Sequence, residues 1–183
     1  MSKKERKIAN PAPLGLLGFG ATTILLNLTN AGLTELSAIV LVMGVFYGGI
    51  AQILAGIFEF RAEKGFGGTA FISYGLFWFT LVGLIVLPKI GFMPAPSVQS
   101  MAAYFIIWAV ITFGFMIIAK DNKITFAVFI TLFILFVLLT VTELTGNNTL
   151  KVITGYEGML CGAIAIFDAL YQMIKTHLTE NKA

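Results

Sequence analysis

Apolar residues in this chain fall into six long runs set apart by short polar punctuation. A membrane-spanning helix needs about 20 mainly apolar residues. Runs of that kind extend over positions 14–30, 36–60, 69–87, 98–119, 124–142 and 153–174. In the fifth, from Phe126 to Phe136, apolar side chains go all round the helix, as lipid or a protein core demands. The pattern predicts an all-α membrane protein of six transmembrane helices. It reads as one integral membrane domain: an N-terminal segment 1–12, a bundle 14–174 and a tail 175–183.

Polar positions inside the runs carry the functional information. Asn10-Pro11 predicts a helix start, because an Asn side chain can cap orphan amides and a proline at the first helical position loses no hydrogen bond. Residues four apart then share a face: Gly15, Phe19, Thr23 and Asn27 give a gap, a ring, a hydroxyl and a carboxamide in line. Such a stripe suits a narrow polar path, with Thr22 beside it. In the second run Gly44, Gly48, Gln52 and Gly56 recur at intervals of four, a small-residue face that lets helix backbones approach closely in lipid. Tyr47 and Gln52 there read either as pore-facing groups or as interhelical hydrogen-bond partners. Gly155, Gly158, Gly162 and Ala165 form a second small-residue face, expected to pack on the first or second helix; Ala165 is also a candidate for the pathway.

Gly65, Gly67 and Gly68 predict a bend or a short re-entrant piece, which makes Ser73 and Tyr74 candidates for a lumen. The other reading is an ordinary cytoplasmic turn. A proline-punctuated loop from Pro88 to Pro96 divides the chain into two halves of three spans, which must have opposite topology. The fourth run has little that is polar besides Tyr104 and Trp108, and reads as scaffold facing lipid or another protomer.

Composition agrees with a membrane protein: 58% of the 183 residues are hydrophobic and 11% charged, against about 25% charged in soluble domains. Charge adds orientation. With the N-terminus inside, Lys3, Lys4, Arg6, Lys7, Arg61, Lys64, Lys120, Lys123, Lys175 and Lys182 are cytoplasmic and only Lys89 and Lys151 lie outside. Positive residues stay inside, so both termini are expected in the cytoplasm. The basic balance thus reports topology, and no nucleic-acid partner is implied. The first run holds Thr22, Thr23 and Asn27 and lacks a small-residue cleavage site, so a retained span is expected rather than a signal peptide.

Ionisable residues in lipid are costly and therefore functional suspects. Glu59 and Glu143 sit at run ends and read as interfacial. Glu157 and Asp168 lie about three helical turns apart on one face of the sixth run, either as a proton-coupling pair or as interfacial groups. His177 falls in the charged tail. Cys161 stands alone, so neither a disulfide nor a metal cluster is expected. With one His and one Cys there is no catalytic grouping, so an enzyme is not expected, nor any cofactor or metal.

The stretch Asn10-Pro11-Ala12-Pro13-Leu14-Gly15-Leu16, followed by Gly18-Phe19-Gly20, resembles the signature of the acetate uptake transporter family, the acetate and succinate permeases. The resemblance covers nearly the whole chain, and Asn10, Pro11, Pro13, Leu14 and Gly15 carry its motif. It implies six spans with cytoplasmic termini in the cell membrane and a homo-oligomer, a hexameric ring. It also implies uptake of acetate, often of succinate, by proton symport or channel-like passage. The family pathway narrows at three apolar or aromatic side chains. These correspond to Phe19 in Gly-Phe-Gly, Tyr74 in Ser-Tyr-Gly and Leu132 after Thr131. No run carries an intramembrane Lys or Arg, so a carboxylate has to be held by neutral donors and helix N-termini. Thr22, Thr23, Asn27, Ser73 and Thr131 are the candidate donors. A channel for a small neutral solute such as water or ammonia is the alternative.

Overall fold

A computed structural model of the chain describes residues 9–180. The N-terminal cations Lys3, Lys4, Arg6 and Lys7, and Lys182 of the tail, lie outside the described residues. Six helices are long and apolar enough to cross a membrane: Ala12–Asn30, Ala38–Arg61, Gly65–Lys89, Val98–Asp121, Lys123–Thr145 and Asn148–Thr179, called spans 1 to 6 below. Each matches one apolar run. Six crossings put both ends of the bundle on one face, which the Lys and Arg distribution makes the cytoplasmic one.

Glycine decides which spans touch most closely. Span 1 lies along span 6, where a Cβ on Gly20 would sit 2.6 Å from the Gly162 carbonyl oxygen, and one on Gly162 2.7 Å from that of Gly20. Neither site admits a side chain, so the two backbones meet directly, as close packing in lipid requires. Gly158 leaves room for the Asn27 carboxamide on the same seam. Span 2 packs in a similar way on span 3, with the Gly49 carbonyl facing Gly75.

Span 2 departs from the regular helix its periodicity predicts, because Gly44–Ala51 is a π-helix. The wide turn directs two successive residues at one neighbour: Gly48 lies against the Trp78 ring and Gly49 against Phe79, both on span 3. Span 3 departs in the opposite sense. It runs unbroken from Gly65 to Lys89, so the glycine cluster is neither a bend nor a re-entrant piece. Reversal occurs just before it, at Glu63, whose φ of 60° is left-handed. Gly65, Gly67 and Gly68 occupy the first helical turn, where Gly67 makes room for the Glu59 carboxylate and Gly68 for the Phe60 ring. The last helix also runs on past 174, continuing to Glu180 through most of the expected tail.

The interior is largely aromatic. Phe19, Tyr74, Phe77, Trp78, Phe105, Phe129 and Phe136 form one buried cluster with Leu81, Leu132 and Leu135. Span 4 is the least buried of the six, and it presents Ile107, Val110 and Ile117 outward.

Candidate functional site

Two cavities enter the bundle from opposite ends. The inner one, about 610 Å³, opens at the cytoplasmic ends of the spans, among Ala12, Lys64, Asp121, Asn122 and Gln172. The outer one, about 640 Å³, opens among Asn30, Leu36, Val98, Glu143 and Asn148. Phe19, Tyr74 and Leu132 line both, and among the described residues no other does. All three are buried, and the rings of Phe19 and Tyr74 stand 6.0 Å apart.

Each comes from a different span, and the orientation of Tyr74 has a specific cause. Its hydroxyl lies 2.8 Å from Thr112 Oγ1 on span 4. The Thr112 hydroxyl hydrogen goes to the Trp108 carbonyl at 2.7 Å, so Tyr74 is the donor between them. With that donor engaged, the phenol turns its ring toward the cavities, packed also on Trp108 and Phe129. Thr112 is fully buried. It passes unnoticed in the sequence, where the only signal is a lone hydroxyl in the cytoplasmic half of span 4.

The other sequence candidates divide. Thr23 and Asn27 line the outer cavity, and Asn27 Nδ2 donates to the Thr23 carbonyl at 2.9 Å. Thr22, Ser73, Thr131 and Ala165 line neither cavity. Thr22 and Thr131 donate back to carbonyls of the preceding turn, Gly18 at 2.6 Å and Ala127 at 2.8 Å, the usual use of hydroxyls on helices in an apolar medium. Ala165 is fully buried in the core. Of the alternatives in span 2, Gln52 lines the inner cavity and Tyr47 does not.

Glu157 and Asp168 are not brought together. Asp168 lines the inner cavity, where its carboxylate accepts from Gln172 Nε2 at 3.0 Å and Thr125 Oγ1 at 3.4 Å. Glu157 lines neither cavity, and both its carboxylate oxygens are buried without a hydrogen bond. Glu59 keeps its place near the cytoplasmic end of span 2, but its side chain is not open to water. It is 3% exposed, lines the inner cavity and faces Lys64 Nζ at 3.7 Å.

The motif at the start of span 1 does structural work at the same mouth. The Asn10 carboxamide is only loosely a cap, 3.4 Å from the Ala12 amide. Its stronger bonds are lateral: Nδ2 donates to Gln172 Oε1 at 2.9 Å and Oδ1 accepts from Lys64 Nζ at 3.2 Å. Pro11 immediately precedes the helix, Pro13 is buried and Leu14 points outward. Gly15 admits the ring of Phe71 from span 3. Asn10 thus links spans 1 and 6 to the turn between spans 2 and 3. Among the described residues no cluster of three or more metal-ligating side chains occurs.

Comparison with known proteins gives a consistent result. The succinate-acetate/proton symporter SatP of Escherichia coli (strain K12) is 47% identical over 169 residues, which is 92% of this chain and 90% of that protein. The ammonia transport outward protein 2 of Saccharomyces cerevisiae is 37% identical over 172 residues, 89% of this chain and 61% of that protein. The solved structure of the bacterial acetate channel SatP superposes with a TM-score of 0.91 at 45% identity, covering 93% of this chain and 95% of that one. The GPR1/FUN34/yaaH family model matches residues 1–180, and the chain belongs to that family.

Proposed function

We propose that this protein carries acetate and similar small monocarboxylates across the cell membrane, along a path inside each protomer that is sorted by a collar of Phe19, Tyr74 and Leu132. The observation that carries the reading is the pair of cavities, about 610 and 640 Å³, reaching in from opposite faces and sharing, among the described residues, just those three side chains. The names of its relatives, a succinate-acetate/proton symporter and an acetate channel, support the choice of solute.

The physics favours small acids. A bare carboxylate loses most of its hydration in an apolar collar, at a cost of several kcal/mol, whereas a small or protonated acid loses far less. A collar of two rings and a Leu therefore passes short monocarboxylates and holds back bulkier solutes. Polar groups stop short of the collar: Thr23 and Asn27 lie in the outer cavity, and Gln52 and Asp168 in the inner one. The same reading takes in succinate and a hexameric ring of protomers, each with its own path.

Labelled acetate and lactate uptake into proteoliposomes tests it. Leu132→Ala is expected to raise lactate flux relative to acetate several-fold; an unchanged ratio removes the collar from selection. The yeast relative named for ammonia transport supports a second reading, a channel for a small neutral solute. Acetate that competes with the observed flux supports the acid pathway, and flux indifferent to acetate supports the second.

A further inference from the structure

The inner cavity holds two buried carboxylates, Glu59 and Asp168, and among its lining residues a single cation, Lys64. Asp168 has its hydrogen bonds from Gln172 and Thr125. Glu59 is placed differently. Its Oε1 is buried and no hydrogen bond reaches it, while its Oε2 lies where a Cβ on Gly67 would be. The carboxylate is thus held against the first turn of span 3, beside the Lys64 ammonium.

That location is made for an anion. The first helical hydrogen bond of span 3 runs from the Gly68 amide to the Lys64 carbonyl, so the amides of Gly65, Phe66 and Gly67 have no partner within the helix. Lys64 makes no side-chain cap for them. Amides of this kind, together with the helix dipole, favour a negative group. The left-handed residue Glu63 folds the chain back so that the Lys64 amide donates to the Glu59 carbonyl at 2.9 Å. This fixes the ammonium close to the carboxylate. Lys64 is itself half exposed, with Asn10 Oδ1 as its other acceptor, so solutes in the cytoplasmic mouth can reach it.

We propose that Lys64 and the first turn of span 3 form a carboxylate-receiving site on the cytoplasmic side, in which Glu59 is the resident occupant that gives way to the solute's carboxylate when it takes up a proton. The proposal rests on the transport of small carboxylates argued above. Its balance is simple. One proton, from cytoplasmic water or from undissociated acid arriving through the collar, goes to the Glu59 carboxylate. The neutral Glu59 no longer holds the ammonium, and the carboxylate of one solute takes its place. One proton and one carboxylate are held together and leave together. The other charged groups lining this cavity are Asp168 from span 6 and Asp121 from the end of span 4; Glu63 in the turn, and Lys120 and Lys123 beside Asp121, are exposed charges near them in sequence. Besides Glu59, two carboxyl groups and one cation line the cavity, a balance that opposes entry of an unaccompanied anion. Arg61, on the same span as Glu59, is occupied over the Phe58 ring at 5.4 Å.

Acetate binding to the purified full-length protein, followed by calorimetry from pH 5 to pH 8, tests the site alongside acetate flux in proteoliposomes. In the unsubstituted protein affinity is expected to fall as pH rises. Glu59→Gln, a permanently neutral occupant, is expected to flatten that dependence and raise affinity several-fold at the alkaline end. Lys64→Gln is expected to weaken binding at least fivefold at pH 5, with Lys64→Arg restoring most of it. If Glu59→Gln fails to fold, Glu59→Ala removes the titrating carboxyl altogether and is expected to flatten the profile in the same direction. A Glu59→Gln profile parallel to that of the unsubstituted protein, or Lys64→Gln binding at full strength, overturns the proposal while acetate flux leaves the transport reading standing. Absence of acetate binding and flux from the unsubstituted protein overturns both.

Discussion

The inner and outer cavities differ by only about 30 Å³ in volume, the difference between about 640 and 610 Å³, yet their walls are built from different chemistry. Charged groups of the outer cavity, Glu143 and Lys151, belong to the loop end, and deeper in it is walled by Trp78, Leu81, Phe105, Leu135 and Phe136. The inner cavity keeps buried charge: Glu59 and Asp168 are 3% and 2% exposed. A hydrogen-bonded chain runs across its mouth from Lys64 through Asn10 and Gln172 to Asp168. Volume alone would make the two faces equivalent. The difference lies in buried charge: the inner cavity keeps two buried carboxyl groups, whereas buried polar side chains of the outer one, such as Thr23 and Asn27, are neutral.

The strongest way to break this contrast is at the residues both cavities share. Phe19→Asp puts a carboxylate into the collar, where a mid-membrane charge costs about 2.5–3.5 kcal/mol, equivalent to roughly a hundredfold in an equilibrium. Acetate flux is expected to fall at least tenfold in both directions in oriented proteoliposomes. Flux unchanged in both directions would remove Phe19 from the constriction. Next in size is the seam of spans 1 and 6, which supports both cavities equally. Gly162→Leu forces a side chain into the Gly20 carbonyl, and overpacking of this kind costs about 1–3 kcal/mol. Thermal unfolding in detergent is expected to shift down by several degrees, and both directions of flux should suffer alike.

How much of this was legible in the sequence follows the same division. All six spans were, because a helix in lipid has to be apolar over a fixed length and the chain obeys that rule in every run. The seam was as well, since Gly155, Gly158 and Gly162 declare a close approach whatever the partner. The inner cavity was not. Glu59 sits at the end of an apolar run, and position alone assigns it to interfacial water. Only the left-handed Glu63 and the missing side chain of Gly67 bring it under the next helix. Asn10 looked like a cap because its local sequence says so, yet its better bonds go to Gln172 and Lys64, 162 and 54 residues away. Hydroxyls divide for a related reason: Thr22 and Thr131 donate to carbonyls of their own helices, while Thr112, in a span with no evident role, holds Tyr74.

A smaller effect sharpens the contrast from one side. Asp168→Asn removes a negative charge from the inner cavity alone. A like charge in the same cavity repels a carboxylate by an amount on the order of 1 kcal/mol, or about fivefold. The half-saturation for acetate presented from the cytoplasmic face is expected to fall by two- to fivefold, with the outer face unchanged. Gln172→Ala, which removes a hydrogen-bond donor to Asp168 but no charge, separates the two causes. If it reproduces the effect, geometry rather than charge sets the inner affinity.

The smallest expected effect concerns how the collar keeps its polar group out of the way. Thr112→Val deprives the buried Tyr74 hydroxyl of its acceptor, at a cost of about 1–3 kcal/mol for a buried donor left unsatisfied. The ring stays packed on Trp108 and Phe129, so the collar keeps its width. The lactate-to-acetate flux ratio is therefore expected to change by less than about twofold, while Leu132→Ala, which does widen it, moves the ratio further. A Thr112→Val ratio as large as that of Leu132→Ala would mean that solutes are sorted by where the hydroxyl points and not by the space between the side chains. In that case span 4 would belong to the pathway and not to the scaffold.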